Sequence, residues 1–213
     1  MWELVQAGGW LMLPLVLCSV FTVAISIERF IRLKKAAVVP KALLLNPAAL
    51  SVEQTMQHIE LSPALKSSSL GRVLVSGYAA KDKPEQFARA QMEVTASQEI
   101  GFLEKNVNFL GTLSAVAPLM GLLGTVIGII ESFLMIDIGN SSDPVLMMPG
   151  ISKALITTAA GMLIAIPALF AHRYFQRLVQ EYIAELEQQA TLFHAALFFQ
   201  QPAVGAHPVQ QAS

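Results

Sequence analysis

Charge is the scarcest commodity in this sequence. Asp, Glu, Lys and Arg make up 14% of its 213 residues and 54% are hydrophobic, whereas soluble domains are about a quarter charged. A purely soluble fold is excluded on that ground. The shortage is also local, because Leu4 to Ile27, Asn106 to Ile130 and Ala154 to Ala171 hold no charged residue at all. Each run approaches the ~20 residues that span a bilayer. Cysteine is nearly absent: Cys18 has no partner in the chain, so no intrachain disulfide forms, and it reads as packing filler or a lipid-facing residue. With a net charge of -1 and no basic run, nucleic-acid binding finds no support. Strand alternation and internal repeats are missing too. No Lys or Arg precedes the first apolar run and no A-x-A-like site comes after it, so that run is expected to be a retained transmembrane helix and not a cleaved signal peptide.

What is present gives an all-α membrane protein with three transmembrane helices. Arg29, Arg32, Lys34 and Lys35 come directly after the first run. The excess of basic residues on cytoplasmic flanks therefore puts the N-terminus in the periplasm and the C-terminus in the cytoplasm. The expected divisions are 1–33 for the N-terminus and first transmembrane helix, 34–105 for a cytoplasmic helical segment, and 106–136 for the second transmembrane helix. They continue with 137–150 for a periplasmic loop, 151–171 for the third transmembrane helix, 172–200 for a cytoplasmic helix, and 201–213 for a disordered tail. The loop has Asp137 and Asp143 and no basic residue before Lys153, as that orientation requires.

In the cytoplasmic segment Ser51-Val52-Glu53-Gln54 fits a capping box and Pro63 breaks the helix it would start, which predicts a short helix near 52–60. Ser67 to Ala80 reads as another. Asp82-Lys83-Pro84-Glu85 starts a helix with no further proline before Pro118, so a single helix is expected from Pro84 into the membrane. Phe175, Leu178, Val179, Tyr182, Leu186, Ala190, Phe193 and Leu197 recur at three and four residues, extending the third helix into the cytoplasm. Two long helices, each roughly 75 Å at ~1.5 Å per residue, would leave the membrane together.

Two spans carry candidate chemistry. In Ala117-Pro118-Leu119-Met120-Gly121-Leu122-Leu123-Gly124-Thr125-Val126-Ile127-Gly128-Ile129-Ile130-Glu131-Ser132, positions 121, 124, 125, 128, 131 and 132 share one small, polar face. Gly124 and Gly128 have the GxxxG spacing that lets membrane helices approach closely. The face serves either packing or an ion pathway, and Thr125 and Glu131 on the same stripe favour the pathway. In the third span Ala154, Thr158, Gly161 and Ala165 form a second small stripe before Pro167. Thr157 and Thr158 lie a turn inside Lys153; their hydroxyls either bond back to their own helix or line a pore. With the threonines at one depth, Glu131 lies six residues outside Thr125, ~9 Å, and Lys153 five outside Thr158, ~7.5 Å. These two charges are expected to pair, within or between subunits near the periplasmic end of the pore, the alternative being separate snorkelling to periplasmic water.

"APLMGLLGTVIGIIESF" and "PGISKALITTAAGMLIAIPAL" resemble the two signature helices of the MotA/TolQ/ExbB family, and "AGGWLMLPLVLCS" with "IERF" resembles an ExbB-type first helix. The resemblance implies an inner-membrane homopentamer around a smaller ExbD/TolR-like single-span partner, whose membrane Asp carries protons. It further implies a TonB-like protein that uses proton-motive force to energise outer-membrane uptake of iron complexes or vitamin B12. Thr125 and Thr158 match the threonines thought to line the proton route. Some relatives have glutamate where Lys153 stands and an uncharged residue where Glu131 stands, which argues against a simple glutamate relay in the third helix. A TolQ-like role in envelope integrity stays open, as does a passive membrane scaffold. A solute transporter is disfavoured because three helices without an inverted repeat build a poor cavity. His58, His172, His194 and His207 are scattered without metal spacing, and Ser67-Ser68-Ser69 has no nearby base. No enzyme activity, metal or cofactor is expected.

Overall fold

A computed structural model describes residues 8–44, 52–139 and 144–199, and every regular element among them is helical. In chain order these are α1 Met12–Arg32, α2 Lys35–Val38, α3 Val52–Leu61, α4 Pro63–Ser67, α5 Ser69–Ala79, α6 Glu85–Glu104, α7 Val107–Gly139 and α8 Met148–Phe199. Short 3-10 turns occupy Lys41–Leu43 and Pro144–Met147. Three stretches among the described residues are long and apolar enough to cross a membrane: Met12–Arg32, Glu85–Met135 and Met148–Phe199. Ser51 of the expected capping box, Asp143 and the expected tail over 201–213 lie outside the described residues. The chain divides into two compact units, 1–34 with 102–180 and 35–101 with 181–213.

In the first unit large side chains of α1 pack against alanines of α7 and the leading part of α8. Met12 and Leu15 of α1 meet Ala117 of α7 and Ala165 of α8, with Met120, Ala160 and Ile164 around them. Phe21 and Phe109 add an edge-to-face contact with ring centroids 6.3 Å apart. The opposite faces are apolar and exposed, with Leu13, Leu17 and Val20 on α1, Leu119, Leu122 and Val126 on α7, and Leu155, Leu163 and Phe170 on α8. Such a surface has a low free energy only against lipid or another apolar partner. Pro118 and Pro167 sit inside α7 and α8 without ending them. Membrane helices tolerate this because neighbouring groups satisfy the freed carbonyls.

The expected single helix from Pro84 into the membrane is in fact two. The helical path stops at Glu104 and restarts at Val107, and Asn106 between them has a left-handed backbone with φ 64°. Asn is among the few residues that tolerate this region. Its side-chain amide donates to Glu28 Oε2 at 2.9 Å, and its carbonyl accepts from Leu110 N at 3.1 Å to begin α7. Arg29, which is 3% exposed, donates through Nη1 to the carbonyls of Phe102 and Leu103 at 3.3 and 3.4 Å. Those are among the last carbonyls of α6, which have no partner within their own helix. Glu28 in turn bridges Arg29 and Arg32 at 3.3 and 3.2 Å. The C-terminal end of α1 therefore holds the break open with one carboxylate and one guanidinium.

In the second unit Ile59, Leu70, Val73, Leu74, Leu186 and Phe193 are buried. Ser68 caps α5, its Oγ accepting from Gly71 N at 3.1 Å, so the serine run serves a helix start. Arg72 Nη1 donates to the buried Glu99 at 2.8 Å, and the Lys35 ammonium pairs with Glu185.

Asn106→Val should lower the thermal midpoint of the detergent-solubilised protein, since a left-handed β-branched residue costs at least about 1–2 kcal/mol and the Glu28 bond is lost as well. Asn106→Gly keeps the backbone geometry and loses only that bond, so its shift should be clearly smaller. Equal shifts for both variants would mean that backbone geometry at this position is unimportant.

Candidate functional site

The second and third spans meet along one seam, built from residues that have almost no side chain. Gly121, Gly124 and Gly128 of α7 are buried, as are Ala154, Thr157, Gly161 and Ala165 of α8. The contacts are backbone to backbone at Gly121, Gly128 and Gly161, and backbone to side chain at Gly124. A Cβ on Gly128 would lie 2.7 Å from the Gly150 carbonyl oxygen, one on Gly124 2.6 Å from Thr157 Cβ, and one on Gly161 2.6 Å from the Ala117 carbonyl oxygen. At Gly121 it would meet Thr158 Cα at 3.1 Å. The stripe expected from the sequence thus faces a matching stripe on the neighbouring helix of the same chain.

That proximity lets short polar side chains reach across. Thr158 Oγ1 donates to the Gly121 carbonyl at 2.9 Å. Ser132 Oγ lies 2.9 Å from the carbonyl of Gly128 on its own helix and 3.2 Å from that of Met147 across the turn. Lys153 Nζ lies 3.0 Å from Glu131 Oε1 and 2.8 Å from Oε2, so the ammonium bonds both carboxylate oxygens. Their side chains are 26% and 40% exposed, which leaves the pair at the margin of the seam and not sealed inside it.

Four of the five expected pathway residues therefore come together, with Thr158, Thr157, Lys153 and Glu131 all on the seam. Thr157 is 1% exposed and donates to the Lys153 carbonyl of its own helix, so it fills space against Gly124. Thr125 stands apart. Its hydroxyl donates back to Leu122 O at 2.6 Å, the bond that threonines make within their own helix, and it takes no part in the cross-helix contacts described. Gly150 is a seam residue that sequence reading did not single out; a Cβ there would collide with Ser132 Oγ. Its only signal was its place after Pro149 at the helix start, where no periodicity can yet be counted. His172 Nδ1 lies 2.9 Å from the Val107 carbonyl. Among the described residues no group of three or more His, Cys, Asp or Glu is placed to hold a metal ion.

The stretch that forms this seam is matched by known proteins. Residues 56–188 match the model of the MotA/TolQ/ExbB proton channel family. A putative biopolymer transport protein, ExbB-like 1, from Synechocystis is 30% identical over 199 residues, covering 91% of this chain and 78% of that protein. An ExbB-type biopolymer transport protein from Vibrio cholerae is 30% identical over 87% of this chain and 83% of its own length. The Tol-Pal system protein TolQ of Haemophilus influenzae is 34% identical over 57% of this chain and 56% of its own length.

Gly128→Val should part α7 from α8, because the branched side chain meets a backbone carbonyl that cannot turn away. Overpacking of this kind costs about 1–3 kcal/mol. Gly101→Ala provides the control, since a Cβ there meets nothing within 4 Å and Ala is the better helix former by roughly 0.5–1 kcal/mol. Thermal unfolding in mild detergent should rank the two variants on opposite sides of the unmodified chain.

Proposed function

The chain belongs to the MotA/TolQ/ExbB proton channel family, and from that premise we propose that its α7–α8 seam forms one subunit's share of a proton route in an ExbB-ExbD-TonB-type complex. It is an energy-transducing subunit of the inner membrane, crossing it more than once, and not an enzyme. On this reading a homopentamer surrounds an ExbD/TolR-like single-span partner and a TonB-like protein carries the work to outer-membrane uptake of iron complexes or vitamin B12. The N-terminus faces the periplasm, while residues 34–105 and 172–200 stand in the cytoplasm.

The observation that carries the proposal is the Glu131–Lys153 pair at the edge of a seam that also holds the Thr158 hydroxyl. A single charge costs ~2.5–3.5 kcal/mol at mid-bilayer on insertion scales and less toward the interface, so charges retained in a membrane helix are usually paired or serve a pathway. The pair has no net charge. A bare carboxylate in its place would hold a passing proton, and a bare ammonium would repel it. Thr158 has its proton committed to Gly121 O, but its oxygen keeps lone pairs that can accept from a protonated partner carboxyl. Thr125 offers the same acceptor capacity from a more exposed position.

The TolQ-like reading, a role in cell-envelope integrity, draws support from the 34% identity to a Tol-Pal protein. Deleting the gene tells the branches apart. Failure to grow on a scarce ferric siderophore supports the TonB-linked branch, and detergent sensitivity with normal siderophore growth supports the Tol-linked one.

Glu131→Ala and Lys153→Ala should each reduce energised function severely by leaving the other charge unpaired, and the swap Glu131→Lys with Lys153→Glu should restore part of it. Thr158→Val should lose more than Thr125→Val, because it removes a cross-helix bond worth about 1 kcal/mol as well as the acceptor oxygen. Normal siderophore-dependent growth and normal envelope integrity in all these variants, with protein levels unchanged, would overturn the pathway.

A further inference from the structure

Ahead of α1 the chain makes a tight turn through Gly9, whose φ of 74° lies in the left-handed region. The turn is ordered by two backbone bonds, Met12 N to Gly9 O at 3.0 Å and Leu13 N to Trp10 O at 3.1 Å. Gly9 faces the side chain of Lys153, far along the sequence on α8. A Cβ at Gly9 would collide with Lys153 Cε and would lie 2.9 Å from Nζ and 3.5 Å from Cδ. The lysine stem thus lies on bare backbone while its ammonium bonds both oxygens of Glu131.

We infer that Gly9 is a positioning residue for the Glu131–Lys153 pair, its missing side chain being the space that the lysine end occupies. The pair then has three walls: α7 supplies the carboxylate, α8 the ammonium, and the turn before α1 a lid over the lysine stem. Long lysine stems commonly lie along neighbouring surface with the charge at the tip, and the bare Cα of Gly9 leaves the room that this stem takes. What a side chain at Gly9 would displace is the flexible end of a lysine, not backbone. The helices can therefore stay in place while the ammonium moves off the carboxylate. This inference deepens the proposed role of the pair and gives α1 a direct means of altering it.

Gly9→Asn tests the inference, because Asn tolerates a left-handed backbone yet still carries a Cβ; Gly9→Ala adds backbone strain to the same displacement. In purified complex, acetylation of Lys153 by an amine-specific reagent, read by mass spectrometry against the exposed Lys83, should rise several-fold in both variants. Energised function should fall several-fold for Gly9→Asn in the native background and show no further loss in Lys153→Ala, where the lysine end is gone. Unchanged Lys153 labelling, or equal losses in both backgrounds, would overturn the inference and leave Gly9 a turn residue only. If labelling rises while Glu131→Ala and Lys153→Ala leave energised function intact, the lid stands and the pathway reading fails.

Discussion

Where α7 and α8 touch, their backbones approach to within what a methyl group would fill, and the rest of the first unit is arranged around that approach. Gly121, Gly124 and Gly128 open one side and Gly161 the other. The threonine at 158 can reach a carbonyl of the facing helix only because no side chain stands between them. The same closeness brings the side chains of Glu131 and Lys153 into contact at the end of the seam. In a bilayer there is little hydrophobic drive to bring two apolar helices together, since lipid is as apolar as leucine. Close van der Waals contact and short cross-helix hydrogen bonds supply the attraction instead, and both require small residues.

The end of α1 imposes a second constraint through charge. Arg29 is buried, and it is acceptable there because it is bonded to two helix-end carbonyls and to Glu28. Glu28 also takes the Asn106 amide, so a carboxylate and a guanidinium on adjacent residues fix both sides of the α6–α7 break. The carbonyls of an ended helix carry partial negative charge, and a cation placed there is favourable.

Legibility in the sequence depended on the range of the physics. Spans were legible because charge-free runs are one-dimensional information, and the glycine stripe because helical periodicity maps positions onto faces. The pairing of Glu131 with Lys153 came from counting depth along two antiparallel helices, which needs only the rise per residue. The break at Asn106 was hidden: no proline marks it, and the left-handed residue is held by Glu28, a partner distant in sequence. Thr125 shares its stripe with Gly124 and Gly128, yet its hydroxyl turns back to Leu122, a rotamer choice that periodicity cannot express. Gly9 lay inside the first charge-free run, and nothing nearby announces the lysine that lies over it.

These contacts join the three helices through different chemistry at different levels. At the C-terminal end of α1 the link to α6 and α7 is ionic, through Glu28 and Arg29. In its first turn α1 meets α7 and α8 through Met12, Leu15 and two alanines, contacts that are short-ranged and without direction. Beyond them, at Gly9, the contact is with the stem of a lysine whose charge is held by a third element. The two ends of α1 are thus held differently, by ion-assisted hydrogen bonds at one and by contact of Gly9 with a movable lysine stem at the other. Only one of those ends touches the pair on which the proposed proton route depends.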